Sequence, residues 1–88
     1  MHQGIYIRLR TMMEDADAKW GKFASTHEAM GVAAEEWDEL RSAIHANDIV
    51  AIEQECLDLA APLLRMAEQL QDKIRLARRE KRAMEAVK

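Results

Sequence analysis

Apolar side chains recur every three or four residues along most of the chain, which is the period of an α-helix. The first run of such positions extends from Ile5 to Trp20 and is followed by Gly21, a residue type that commonly ends helices. A second run follows Ser25, which together with Glu28 has the Ser-x-x-Glu form of a capping box. These patterns predict a first helix over about 5–20 and a second helix that starts at Ser25.

A third run begins after a polar break, where Asn47 or Asp48 is expected to cap a new helix. Its apolar positions alternate steps of three and four, as in a coiled-coil seam, and are Ile49, Ile52, Cys56, Leu59, Leu63, Met66 and Leu70. The stripe of the second helix consists of Met30, Ala33, Trp37, Leu40 and Ile44. We predict that the two stripes pack together, with Trp37 and Cys56 in the core and a kink at Pro62.

The end of the chain contains no Gly or Pro between residues 71 and 88, so this segment either continues the third helix or bends into a fourth. It is strongly basic, with seven cations from Lys73 to Lys88. Three interpretations are open for this charge. The basic segment forms either a solvated helix face, a funnel for phosphates, or a contact with an acidic patch on a neighbouring subunit.

The composition also indicates helices, because 49% of the residues are hydrophobic and 33% are charged, with three glycines and one proline. A chain of 88 residues forms one domain, 1–88, in which we assign 5–70 to the core and 71–88 to a basic C-terminal helix or extension. Since so short a chain buries a small core, association with further copies is expected. We predict an all-α fold, an antiparallel helical hairpin with flanking helices, completed as a helical bundle in an oligomer.

Charge and cysteine content narrow the class of protein. The net charge of −3 gives no electrostatic reason to expect nucleic acid binding, and no apolar run approaches the length of a membrane span. The single cysteine, Cys56, excludes an intrachain disulfide and suits a reducing compartment. Residues 1–4 lack the basic-then-apolar order of a secretion signal. We predict a cytoplasmic protein that binds neither membranes nor nucleic acid.

Most of the negative charge falls on the second and third predicted helices, where residues 28–58 include nine acidic residues and one basic residue. Glu36 and Glu39 lie one turn apart beside the apolar stripe of the second helix, and Glu55 and Asp58 have the same relation to the third. In an antiparallel hairpin, Glu39 should face Glu55 and Glu36 should face Asp58. We predict one cluster of four carboxylates. The alternative is a solvated, glutamate-rich helix surface.

Converging carboxylates raise one another's pKa, so they cannot all stay ionised without compensation. A hard divalent cation provides that compensation. All-oxygen ligation favours Mg²⁺, with Mn²⁺ as the alternative, and open coordination positions suit a phosphate-bearing substrate. Carboxylate bundles that hold two irons use Glu-x-x-His pairs, and neither acidic pair carries a histidine at that place. The sequence therefore predicts a magnesium site rather than a di-iron site.

Together the acidic residues resemble a family motif. The pattern Glu35-Glu36-x-x-Glu39, fifteen intervening residues and then Glu55-x-x-Asp58 resembles the EExxE…ExxD signature of the MazG-like, all-α nucleoside triphosphate pyrophosphohydrolase superfamily. The preceding segment 22–29 is similar to the lead-in of small phage and bacterial members. The resemblance covers residues 19–64, a little over half of the chain.

This resemblance implies Mg²⁺-dependent cleavage of a nucleoside triphosphate between its α- and β-phosphates, which releases a monophosphate and pyrophosphate. It also implies a homodimer or a homotetramer. By motif position, the implied metal ligands are Glu36, Glu39, Glu55 and Asp58. Glu35 is a candidate catalytic residue that would orient the attacking water.

Candidate substrate-binding residues lie at the end of the first helix and in the lead-in, and are Lys19, Trp20, Lys22, Phe23 and His27. The cations available for phosphate are Lys19 and Lys22, with Arg75, Arg78 and Arg79 of the basic segment. Packing and nucleobase contact are both open interpretations for Trp20 and Phe23, because they lie near a helix end. His27 is either a packing residue at a helix start or a substrate contact.

A second hypothesis comes from a different class of function. The chain would then be a non-catalytic helical protein. It would be either a module for oligomerisation or regulation that keeps the MazG-like fold, or an unrelated seam-forming bundle with acidic faces. Both hypotheses predict helices and an acidic hairpin, so they differ only in chemistry. Release of pyrophosphate from a nucleotide in the presence of Mg²⁺ separates them.

Overall fold

The protein consists of three α-helices in the computed structural model, which describes residues 2–87. These are α1 (Gln3–Trp20), α2 (Thr26–His45) and α3 (Ile49–Ala86), and the described residues contain no strand. The predicted all-α class is confirmed, and each of the three predicted helices is present. Residues 71–86 continue α3 rather than forming a fourth helix.

Local side-chain chemistry sets the helix boundaries. The Ser25 hydroxyl accepts a hydrogen bond from the Glu28 backbone N–H at 3.1 Å, and the Asp48 carboxylate accepts one from the Ala51 N–H at 3.1 Å. These contacts satisfy backbone donors that have no partner inside the helix. Gly21 follows α1 with a φ of 73°, a conformation that favours glycine. The helix starts predicted from Ser25 and Asp48 are therefore confirmed.

The helices α2 and α3 form a hairpin, and α1 packs against α3. On α1, Arg8 donates to Glu53 at 2.7 Å, whereas Arg10 donates to Glu68 at 3.2 Å. Those two acceptors are separated by roughly 22 Å along α3 at 1.5 Å per residue. Because neighbouring arginines reach such distant acceptors, α1 crosses α3 instead of running beside it.

The core is small and lies where α3 meets its two neighbours. Its buried apolar residues are Met13, Phe23, Ala29, Leu40, Ala43, Leu57 and Ala61. The predicted seam was wrong at Trp37, which is 47% exposed, and at Cys56, which is also exposed, whereas Leu40 of the same stripe is buried. Glu36 and Glu55, both half-buried, lie in the hairpin contact, whereas Trp37 and Cys56 lie at its edge.

The helix α3 runs through Pro62 without ending, and the Pro62 side chain is buried. Beyond the hairpin, all residues from Leu70 to Val87 are exposed. The radius of gyration is 17.0 Å, whereas a compact domain of this length has about 12 Å. The distal part of α3 therefore projects from the rest of the molecule.

None of the helices between residues 2 and 87 combines the length and the apolar character needed to cross a membrane.

Candidate functional site

Four carboxylates project from the middle of the hairpin. Glu36 and Glu39 lie one turn apart on α2, and Glu55 and Asp58 lie one turn apart on α3, so each pair shares a helix face. Carboxylate oxygens of Glu36, Glu39 and Glu55 all lie within 4.8 Å of one another. The predicted convergence is confirmed for these three residues.

Asp58 lies at the edge of this group. Its carboxylate accepts a hydrogen bond from the Gln54 side-chain amide at 3.0 Å. It is nevertheless close enough that its charge raises the pKa of both Glu36 and Glu55. We refer to Glu36, Glu39, Glu55 and Asp58 as the carboxylate cluster.

Burial and like charge act in the same direction in the cluster. Burial, together with the charges of Glu39 and Asp58, raises the pKa of Glu36 from its usual 4.5 to about 7, and burial is the largest of these causes. Burial also raises the pKa of Glu55, and the neighbouring Asp58 and Glu39 add to this effect. One oxygen of Glu55, Oε2, is buried and accepts no hydrogen bond. The cluster therefore binds a proton or another cation more readily than isolated carboxylates do.

A cleft opens beside the cluster between α1 and the hairpin. It has a volume of about 370 Å³, and its lining includes Lys19, Trp20, Val32, Glu36, Asp58 and Pro62. A neighbouring cavity of about 470 Å³ shares Trp20 and Val32 with this cleft and is also lined by Phe23 and Glu28. The cleft thus combines an apolar and aromatic wall with two of the four carboxylates.

Arg65 is a buried charged residue that sequence reasoning missed. Its Nε donates to Asp17 at 2.8 Å, its Nη2 donates to the Gly21 carbonyl at 2.8 Å, and its guanidinium lies 4.5 Å from the centre of the Phe23 ring. Asp17 also accepts a hydrogen bond from Lys22. The hydrogen bond from Arg65, and after it the one from Lys22, hold the pKa of Asp17 below its usual 3.8. Arg65 therefore joins the end of α1 to α3. Its place within the apolar stretch from Leu59 to Met66 was the available sequence clue.

Gln69 completes this attachment one turn further along α3. Its side chain accepts from the Phe23 N–H at 3.0 Å and donates to the Phe23 carbonyl at 2.7 Å. Both backbone groups of a loop residue are therefore satisfied by one amide. The connection between α1 and α2 is held against α3, and this fixes the wall of the cleft.

The other predicted site residues have varied surroundings. Lys19 lies over the Trp20 ring at 4.7 Å, and Trp20 is 69% exposed. Lys22 pairs with Asp17 at 3.0 Å. His27 is exposed in the first turn of α2, and Glu35 is exposed one residue before Glu36. Their proposed roles stay predictions.

The basic segment lies far from the carboxylate cluster of its own chain. Arg75 follows Asp58 on the same continuous helix, so the two are separated by roughly 25 Å at 1.5 Å per residue. Arg78 and Arg79 are further away still. These arginines cannot contact a phosphate held at the cluster of the same chain.

Comparisons with protein families, with curated proteins and with solved structures found no match to this chain.

Proposed function

We propose that this protein is a Mg²⁺-dependent nucleotide pyrophosphohydrolase of the MazG-like type. The proposed reaction cleaves a nucleoside triphosphate between its α- and β-phosphates and gives a monophosphate and pyrophosphate. The observation that carries the proposal is the convergence of the Glu36, Glu39 and Glu55 oxygens within 4.8 Å, with Glu55 Oε2 buried and unpaired. Such an unbalanced group of oxygens suits a hard divalent cation.

The residues of the cluster fit this metal by their chemistry. Glu36, Glu39 and Glu55 would hold Mg²⁺, with Asp58 at the edge as a fourth ligand, and Mn²⁺ would bind by the same oxygens. When bound, the metal would polarise the phosphate and lower the pKa of a water. Glu35, exposed beside Glu36, is the candidate for orienting that water.

The cleft gives the nucleotide a position next to the carboxylates. The exposed indole of Trp20, together with Val32 and Pro62, offers an apolar surface on which a base can lie. Lys19 lies at the same wall and carries a charge that suits a phosphate. Phe23 lines the neighbouring cavity beneath Arg65, and its buried position favours a role in shaping the wall. Lys22 and His27, both exposed, remain candidate substrate contacts.

The proposal includes the cellular setting and the assembly. An exposed free thiol, Cys56, suits the reducing conditions of the cytoplasm. The small core and the exposed apolar side chains of the hairpin suit a homodimer or a homotetramer.

The test is an activity panel with the purified protein. Canonical and modified nucleoside triphosphates are incubated with Mg²⁺, and pyrophosphate release is measured. Wild type should release pyrophosphate, Glu36→Gln and Glu55→Gln should lose the activity, and Asp38→Asn should retain it. Asp38→Asn makes the same charge change on an exposed part of α2. Absence of release from every nucleotide, together with no rise in melting temperature on addition of Mg²⁺, would overturn the proposal.

A non-catalytic module for oligomerisation or regulation is the second candidate. The exposed apolar residues along the hairpin, among them Trp37 and Leu63, favour it because such surfaces mark protein contacts. It predicts stable self-association without pyrophosphate release. The activity panel and a measurement of mass in solution separate the two candidates.

A further inference from the structure

The helix α3 has three sides, and two of them are covered within the chain. α2 covers one side and α1 crosses another. The third side carries Cys56, Leu63, Leu70 and Ile74, and all four are exposed. These residues repeat at helical spacing, so they form one continuous apolar stripe over the hairpin and the projecting part of α3.

The helix α2 extends this surface. Three exposed apolar residues of α2 come directly after residues of the hairpin contact. Met30 follows Ala29, Trp37 follows Glu36, and Ile44 follows Ala43. Cys56, Leu63 and Leu70 likewise follow Glu55, Pro62 and Gln69 by one position. In an antiparallel hairpin, equal offsets place both sets on the same side. We call the combined surface the outer face. It consists of Met30, Trp37, Ile44, Cys56, Leu63, Leu70 and Ile74.

A groove borders the outer face where it meets α1. It has a volume of about 840 Å³, and its apolar lining includes Tyr6, Leu9, Leu64, Leu70 and Ile74. The groove shares Leu70 and Ile74 with the outer face, so the two form one continuous apolar surface. The apolar lining shows that the helix should present an apolar stripe of its own.

The surface that the chain exposes is larger than that of a compact monomer of the same mass. The chain exposes 6978 Å² of surface, whereas a compact monomer of 10.1 kDa exposes roughly 5,300 Å². The excess is roughly 1,700 Å² per chain. Obligate dimers bury about 2,000–5,000 Å² over both subunits, so the excess matches an interface of that class.

We propose that the outer face binds a second copy of this chain, with the two α3 helices antiparallel. Charge decides the orientation. Residues 49–68 of α3 carry four acids and one cation, whereas residues 69–87 carry six cations and three acids. An antiparallel pair sets the acidic part of each helix beside the basic part of the other, and a parallel pair would oppose like charges.

The stripe and the charges agree on one register. When the partner's Ile74 lies against Cys56, the partner's Ala67 lies against Leu63, and by symmetry each contact occurs twice. In this register the partner's Arg78 comes beside Glu53, on the same side of the helix pair. Glu53 is exposed and already accepts a hydrogen bond from Arg8, so a second arginine adds to an existing charge pair. This interface does not depend on the proposed pyrophosphohydrolase activity.

A disulfide tests the register directly. Ile74→Cys places a thiol against Cys56 of the other copy, so oxidised glutathione should convert the chain to a dimer on a non-reducing gel. Leu76→Cys is the matched control, because Leu76 is exposed on another side of α3 and should remain monomeric on the gel. A covalent dimer from Leu76→Cys but not from Ile74→Cys would overturn the register.

A charge exchange tests the orientation without changing the core. Glu53→Arg and Arg78→Glu should each weaken the dimer by about tenfold in sedimentation equilibrium. The double variant should associate more tightly than either single variant, and the lost Arg8–Glu53 pair should keep it below wild type. A parallel pair predicts no restoration, which would contradict the proposal. Leu63→Glu should give a helical monomer, as checked by circular dichroism. A wild-type chain that stays monomeric throughout the micromolar range would overturn the interface.

Discussion

Among residues 2–87, two groups of charged side chains lie where the helices meet, and their charges are balanced in opposite ways. Around Arg65, the positive charge meets Asp17 and a backbone carbonyl, and the pKa of Asp17 is lowered. In the carboxylate cluster, burial and like charges raise the pKa of Glu36 and of Glu55. The first group stabilises the fold with its own residues. The second lacks a positive partner among residues 2–87, which is what a binding site for a cation requires.

The largest expected effect comes from breaking the balanced group. Arg65→Met should lower the free energy of unfolding by about 3 kcal/mol, because Asp17 and the Gly21 carbonyl lose their buried donor. Urea denaturation followed by circular dichroism at one fixed protein concentration measures the change. The control is Arg10→Met, which removes an exposed ion pair and should cost under about 1 kcal/mol. Equal losses in both variants would contradict the role assigned to Arg65.

The pH dependence of stability should distinguish the two groups. A raised pKa means that the folded state holds a proton that the unfolded state releases. The contribution of Glu36 is therefore complete below pH 4.5 and is lost as the pH rises through about 7. Asp17 acts in the opposite direction, since its lowered pKa makes its contribution fade as the pH falls below 3.8.

We therefore expect metal-free protein to be most stable near pH 5 and to lose about 2–3 kcal/mol by pH 8. Chemical denaturation in the presence of a chelator measures this. Glu36→Gln should flatten the decline, whereas Glu53→Gln, which changes an exposed carboxylate of α3, should not. A decline that persists unchanged in Glu36→Gln would show that another group causes it.

The two regions also differ in how far the sequence predicts them. Helical spacing and the caps at Ser25 and Asp48 were sufficient to predict the three helices. They were also sufficient to predict that Glu36, Glu39 and Glu55 converge. Such features are local or depend on one hairpin. The attachment of the loop by Arg65 and Gln69 depends on how α1 crosses α3, and no short-range pattern specifies that angle.

The outer face is a second feature that the sequence predicts only in part. The stripe that includes Trp37 and Leu63 was correctly seen as continuous and apolar, but it was assigned to the contact within the hairpin. Periodicity identifies an apolar side of a helix without naming the surface that covers it. In the structure, Leu40 lies in the hairpin contact with smaller residues and half-buried carboxylates, and the part of the stripe that includes Trp37 and Leu63 remains exposed.

A smaller effect on stability is expected when one acidic group is removed from the carboxylate cluster. Glu55→Gln removes a half-buried acidic group and supplies an amide donor to the neighbouring carboxylates, so the metal-free protein should gain about 1 kcal/mol at pH 7.5. The same variant should lose the rise in melting temperature that Mg²⁺ gives to wild type. Thermal unfolding with and without Mg²⁺ measures both. Asp38→Asn should show neither change, and a Glu55→Gln variant that still responds to Mg²⁺ would argue against Glu55 as a ligand.

The smallest effect on stability should come from the wall of the cleft, where function rather than packing is expected to use the side chain. Trp20 is 69% exposed, so Trp20→Ala should change the free energy of unfolding by under about 0.5 kcal/mol. If a base lies on the indole, the same change should raise KM by about tenfold, since stacking on an aromatic ring contributes about 1–3 kcal/mol. Ile7→Ala is the control, because Ile7 is similarly exposed but lines neither this cleft nor the groove beside the outer face. An unchanged KM in Trp20→Ala would remove Trp20 from the substrate site and leave the carboxylate cluster as the part that defines it.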